Sequence, residues 1–204
     1  MSSVRTTKVD WTGDNPFIYM KKDPEGDWTS LSTYFRIAAS DYGRGEAIIV
    51  LENPYGNESG PAVRKCLTNN LELAKYLVKD FVRHFGLFRP AQEALDQLEY
   101  IVDATFNTEA DYPKKQVCTA HSAETNTTLS LVWNDLGKPF AVVLTPEESQ
   151  TGKHEMLAVF QTAESAEVLV NGKAIEGQPI ERDFLNGRAQ SAALANSESW
   201  VRAE

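Results

Sequence analysis

The sequence predicts an α+β protein that is mainly β. It reads as an antiparallel meander forming a curved sheet or closed β-barrel, with one long amphipathic helix (about 70–85) and a short helix (about 90–97) packed against it. Three observations carry this. Short apolar runs bounded by Gly, Asn, Asp and Pro recur along the chain, the pattern of strands joined by turns. Strands and helices do not alternate regularly, which disfavours a doubly wound parallel sheet. One stretch only, Asn69 to Leu87, carries a helix start, a helical period and a helix stop.

In that stretch Leu71, Ala74, Leu77, Val78, Phe81, Val82 and Phe85 recur at helical spacing and form one stripe, while Glu72, Lys75, Lys79, Asp80 and Arg83 take the opposite face. Asn69 is the expected N-cap, with Glu72 three residues on to complete a capping box. Lys79, Arg83 and His84 suit the negative end of the helix dipole, and Gly86 is the expected left-handed terminator, with Leu87 folding back on Val82. A helix of this length is marginal alone, so its stripe must pack against something.

Before it, Asp14-Asn15-Pro16 signals a turn, Phe17–Met20 and Ser32–Ala38 read as strands, and Ala47–Leu51 is apolar on both faces and so central. Residues 53–61 read as a polar loop feeding the helix. Pro90 opens the second helical piece at a position that tolerates proline. Beyond it, strands are expected at Leu98–Phe106, Lys115–His121, Thr127–Trp133, Pro139–Leu144, Glu155–Gln161 and Ala166–Val170. Asn134–Lys138 reads as a hairpin turn between the third and fourth of these. Asn171-Gly172 closes the tightest hairpin, because both residues tolerate the positive φ of a type I′ turn, with Lys173–Glu176 as its partner. A last strand lies between Ala189 and Arg202, after Asn186-Gly187. Nine or ten short strands result, in a single domain (1–204) made of N-terminal strands (17–51), a helical insertion (61–97) and C-terminal strands (98–202).

Length and composition suit a soluble globular chain: 204 residues, 42% hydrophobic, 24% charged. A net charge of -9 without a basic cluster argues against nucleic acid as a partner. No run is long enough to span a bilayer, so no membrane partner is expected. The N-terminus lacks an apolar signal core, which places this acidic protein in the cytoplasm. Two distant cysteines, Cys66 and Cys118, then read as free thiols, and the sequons at Asn57 and Asn126 carry no weight.

The familiar motifs are missing. There is no GxGxxG after a strand, no GxxxxGK[ST] and no GxSxG; His154-Glu155 opens like HExxH, but position 158 is Ala. Neither a metal nor a cofactor is called for. The remaining pointers are polar residues set in apolar strands. Glu99 and Asp103 share a face of the 98–106 run, and an inward-facing carboxylate there becomes a general base, against the commoner reading of a solvated outer face. His121 ends a strand and is the candidate acid. Tyr34 and Arg36 share a face and suit an anionic group on a substrate; Trp133, Phe81 and Phe85 supply apolar walls.

Gly26-Asp27-Trp28 resembles the GxW triplet at the first strand of lipocalin-like barrels. The element order departs from that family, with the long helix preceding most of the meander, so no functional residue is carried over.

The leading expectation is a cofactor-independent lyase, isomerase, cyclase or hydratase that moves protons on a small, mostly apolar organic molecule held in a barrel cavity. Asp103, Glu99 and His121 are the catalytic candidates; Tyr34, Arg36, Trp133, Phe81 and Phe85 are the substrate-binding ones. The alternatives are a lipocalin-like binding protein for a hydrophobic small molecule and a structural or dimerisation module without a cavity. A homodimer is a possible partner state. Any site is expected on the strands facing the helical stripe.

Overall fold

A computed structural model describes residues 6–56, 61–185 and 187–203. The sequon at Asn57 and the Asn186 half of the Asn186-Gly187 turn signal lie outside them.

The chain runs β1 (Val9–Asp14), β2 (Phe17–Lys21), β3 (Trp28–Ser40), β4 (Gly45–Glu52), β5 (Arg64–Thr68), α1 (Leu71–Asp80) and α2 (Gln92–Asp96). It continues through β6 (Glu99–Ile101), β7 (Thr105–Asp111), β8 (Lys115–Ser122), β9 (Thr127–Leu136), β10 (Phe140–Leu144) and β11 (His154–Val170). It ends with β12 (Lys173–Ala174), β13 (Glu181–Phe184), β14 (Gly187–Gln190) and β15 (Ala192–Arg202). Among the described residues one curved sheet holds thirteen strands in the order β6-β5-β4-β3-β1-β15-β11-β9-β8-β7, with β10 and β12 on β11, and β2 between β15 and β3. The β13–β14 hairpin stands apart. The β5–β6 pair is parallel, so the sheet is mixed.

The sheet does not close into a barrel. Its path ends at β6 on one side and β7 on the other. It curls instead until two separate cores form. One lies between the helical segment and one face of β1 to β4, β11 and β15, and includes Trp11, Phe35, Ile49, Leu77, Phe81 and Trp200. The other lies where the opposite faces of β3 and β4 meet β8, β9 and β11, and includes Tyr34, Ile48, Val50, Leu131, Trp133 and Val168. Strand β4 serves both, with Ala47, Ile49 and Leu51 in the first core and Ile48 and Val50 in the second. Its doubly apolar run therefore reflects burial on both faces.

The long helix expected over about 70–85 is instead a ten-residue helix, α1, followed by a separate 3₁₀ turn at Val82–His84. Phe81 breaks it. Its amide still donates to the Leu77 carbonyl at 3.0 Å, but its backbone turns out of the helical region (φ -129°, ψ -64°). The ring is fully buried and meets Trp11, Tyr76, His154 and Trp200, with centroids 5.2–5.6 Å away. Burial of this one aromatic thus outweighs the weak preference to continue the helix. The cap is Asn70, one residue later than expected, its side chain accepting from the Leu73 amide at 3.1 Å. Asn69 instead accepts from the Glu46 amide of β4 at 2.7 Å. Gly86 is not left-handed; its N–H donates to the Gln150 side chain. The second piece is a 3₁₀ turn at Arg89–Ala91 running into α2.

Several strands also differ from expectation. β1 precedes the first expected strand, and β5 lies within the stretch assigned to the helical insertion. The 98–106 run is two strands, with Asp103 at φ 59° between them. β10 pairs with β11 and not β9, so Asn134–Lys138 is not a hairpin turn. The two runs at 155–170 are one seventeen-residue strand, β11, with no Gly or Pro to stop it. It pairs with β15 up to Thr162 and with β9 from Ala163, crossing from one core to the other. At Asn171-Gly172 both residues have positive φ (51° and 78°), as the type I′ reading requires. The cysteines are buried and unbridged, and burial pushes the Cys66 thiol up to about 12. No helix among the described residues is long and apolar enough to cross a membrane.

Candidate functional site

A cavity of about 100 Å³ opens at one end of the first core. Its walls are aromatic: Phe17 and Tyr19 from β2, Phe160 from β11, Phe184 from β13, Trp200 from β15, and Phe85 from the segment after α1. Phe17 stacks on Tyr19 at 4.7 Å, Phe85 on Trp200 at 5.9 Å, and Phe184 meets Phe160 edge-on at 5.2 Å. The cavity thus lies between the sheet and the end of the helical stripe.

Besides Tyr19, two ionisable groups line these walls. The first is Glu198, only 3% exposed. A β-bulge puts it there. Asn196 pairs with Val159 and Ser199 with Leu157, so β15 carries one residue more than β11 across that interval. Ser197 takes φ 54°, and its amide donates to Asp14 Oδ1 at 3.0 Å. The extra residue switches the alternation: Ala193 and Ala195 face the first core before the bulge, and Glu198 and Trp200 lie on that side after it. The Trp200 indole N–H donates to Glu198 Oε1 at 2.5 Å, and the Asn15 side chain also bonds the carboxyl. Burial disfavours the charged form more than these bonds favour it, and pushes the carboxyl up to about 7.

The second is Arg182 on β13. Its guanidinium lies over Phe17, Tyr19 and Phe184, 5.2–5.9 Å from the ring centroids. Burial lowers its pKa from the ordinary value. One N–H reaches the Asp183 carbonyl at 3.2 Å, while Nε is sealed from solvent and has no hydrogen-bond partner among the described residues. A guanidinium charge lining an aromatic cavity suits an anionic oxygen on a bound molecule.

The candidates from the sequence are scattered. Glu99 is exposed and ion-paired with Lys65. Asp103 is exposed in the β6–β7 turn. His121 is half-buried on β8, its Nδ1 bonded to Thr128 Oγ1 at 2.9 Å. Arg36 is exposed and paired with Asp14. Tyr34 lies in the second core, its hydroxyl donating to Glu46 and its ring stacked on Phe106. Trp133 is fully buried there, its N–H donating to the Phe17 carbonyl at 3.1 Å. Phe81 is fully buried in the first core. Of the eight, Phe85 lines the cavity. Glu198 and Arg182 escaped the sequence reading. Alternation from Trp200 puts Glu198 on the same face as a core tryptophan, a usable signal, whereas nothing local marks Arg182.

A second buried polar cluster lies behind the Trp200 wall. His154 and Asp10 are 1% and 2% exposed, and His154 Nε2 meets Asp10 Oδ2 at 2.8 Å. Arg202 Nε donates to the same oxygen at 2.8 Å, and Thr151 Oγ1 lies 2.8 Å from His154 Nδ1. A carboxylate only accepts, so Nε2 carries the imidazole proton and Nδ1 accepts from the Thr151 hydroxyl. Burial depresses the His154 pKa. Burial works against the Asp10 carboxylate too, but its hydrogen bonds from His154 and Arg202 more than offset that, and its pKa falls. Among the described residues no group of three or more His, Cys, Asp or Glu could hold a metal ion.

Comparison with known proteins returns nothing: no family model, no curated protein and no solved structure matches this chain.

Proposed function

We propose that the protein is a cofactor-independent acid/base enzyme, of lyase, isomerase, cyclase or hydratase type, acting on a small and mostly apolar organic molecule held in the aromatic cavity. The observation that carries this reading is Glu198, a buried carboxyl in an aromatic pocket with its pKa near 7. A group that titrates near neutrality both takes and returns a proton readily, whereas an ordinary carboxylate is too weak a base and too strong an acid to do both. Arg182 supplies the complementary part: its guanidinium lines the cavity and its charge suits a carbonyl or carboxylate oxygen on which negative charge develops. A cavity near 100 Å³ suits a small substrate.

A second reading, binding without turnover, is favoured by one observation: the Glu198 carboxyl is already engaged by Trp200 and Asn15. Proton exchange separates the two. Acetone and cyclopentanone, small carbon acids, are incubated with the protein in deuterated water and followed by proton NMR. The enzyme reading expects deuterium at the carbon next to the carbonyl, faster above pH 7 where Glu198 is ionised, and none with Glu198→Gln although binding persists. Binding with no exchange by the wild type supports the second reading. Absence of both binding and exchange overturns the site.

A further inference from the structure

We propose that the chain pairs with a second copy of itself through strand β10, edge to edge and antiparallel about Val142. The sheet's other edges are protected. An open strand edge presents unpaired N–H and C=O groups, and folded proteins blunt such edges with shortness, charge, Pro or bulges. β6 is three residues long and β12 two. β7 carries Glu109 and Asp111 among residues that are almost all exposed. β10, Phe140-Ala-Val-Val-Leu144, has none of these devices. It is uncharged, pairs on one side with β11 in an unbroken five-residue register, and among the described residues has no strand on the other.

Its side chains point to the same conclusion. Val143 is 68% exposed, and Leu157, directly opposite it on β11, is 48% exposed, so two large apolar groups stand together in water beside the open edge. All five residues of β10 border a groove of about 640 Å³ whose far wall is Phe184, Leu185 and the following β14, so the groove runs along the open edge. A strand added to β10 continues the sheet along that groove.

The occupant is chosen by the charges flanking the strand. Lys138 lies just before β10, and Glu147 and Glu148 lie in the turn after it. Antiparallel pairing centred on Val142 brings Lys138 of each copy to the level of Pro146 of the other, with Glu147 next to it. The edge is therefore complementary to itself in sign, in a protein whose net charge of -9 otherwise resists self-association. Such exposed charges select orientation and register, while the apolar contact supplies affinity. Each copy has one such edge, so the pairing closes at two.

Analytical ultracentrifugation of the full chain tests this. The wild type is expected to sediment at twice the 22.7 kDa chain mass at micromolar concentration. Val143→Lys, at a site open enough to leave the monomer fold intact by circular dichroism, is expected to raise the dissociation constant at least tenfold. Lys138→Glu and Glu147→Lys are each expected to weaken the dimer, and the double exchange to restore it. A monomeric wild type, a dimer indifferent to Val143→Lys, an open ladder of higher oligomers, or a double exchange that fails to rescue overturns the proposal.

Discussion

Glu198 accepts a 2.5 Å hydrogen bond from the indole of Trp200, two residues further along the same strand. The tryptophan thus both walls the cavity and holds the carboxyl in place.

That ionisation fixes the sign of a stability change. Glu198 titrates near 7 in the folded chain, against 4.5 as its ordinary value. Between these values the folded state holds a proton that the unfolded state has released, so its contribution is full below about pH 4.5 and falls as pH rises to about 7. The loss is on the order of 3 kcal/mol. Urea unfolding of the wild type and Glu198→Gln at pH 5 and pH 8 checks this: the variant is expected to lack the alkaline loss, and parallel profiles would refute the assignment.

The His154–Asp10 pair runs the other way. Both groups have lowered folded pKa values, so the stability they contribute is present at neutral pH and lost on acidification. For His154 the loss begins near 6.5, its ordinary value, and runs down through its folded pKa. Asp10→Ala leaves the His154 N–H and Arg202 without their acceptor and is expected to cost about 3 kcal/mol at pH 7. His154→Gln is expected to remove the portion of the acid loss that starts near 6.5. Thermal unfolding from pH 7 to 5 measures both.

Asn70 ties α1 to the β3–β4 turn as well as capping it. Its side-chain nitrogen donates to the carbonyls of Tyr42 and Arg44 at 2.9 and 3.0 Å, while its oxygen accepts from Leu73. Asn70→Ala is expected to cost about 2 kcal/mol, one part cap and one part lost tether. Asn70→Asp keeps the cap and loses both donors, so a variant as stable as wild type in urea would show that the tether contributes nothing.

How far the sequence exposes this molecule depends on which interactions are local. The Asn171-Gly172 turn is legible because its backbone demands those two residues. The buried β4 is legible from its double apolar run. The helix is legible in its first turns, where its stripe and cap are local, and illegible at Phe81, where the stripe continues but tertiary contacts take the ring elsewhere. β1 and β5 escape because VDWTGD and RKCLT are strands by virtue of their neighbours, not their own propensity. The cavity escapes because it assembles β2, β10, β11, β13 and β15, and its carboxyl is turned inward by one extra residue in a strand.

The two ends of the described chain meet in the middle of the sheet. β1 pairs with β15 across a register shift between Val9 and Trp11, and Thr12–Ser199 and Asp10–Arg202 join residues 187 and 192 positions apart. The first core meets this seam through Trp11 and Trp200, so it does not complete before the most distant segments find each other. Closing so long a loop costs entropy before any contact compensates for it, which makes this seam a slow, late step of folding. The same adjacency makes the molecule a candidate for circular permutation. A short linker joining the strands at Val9 and Val201, with new ends opened at the exposed Asn171-Gly172 turn, turns the least local contact in the chain into a hairpin.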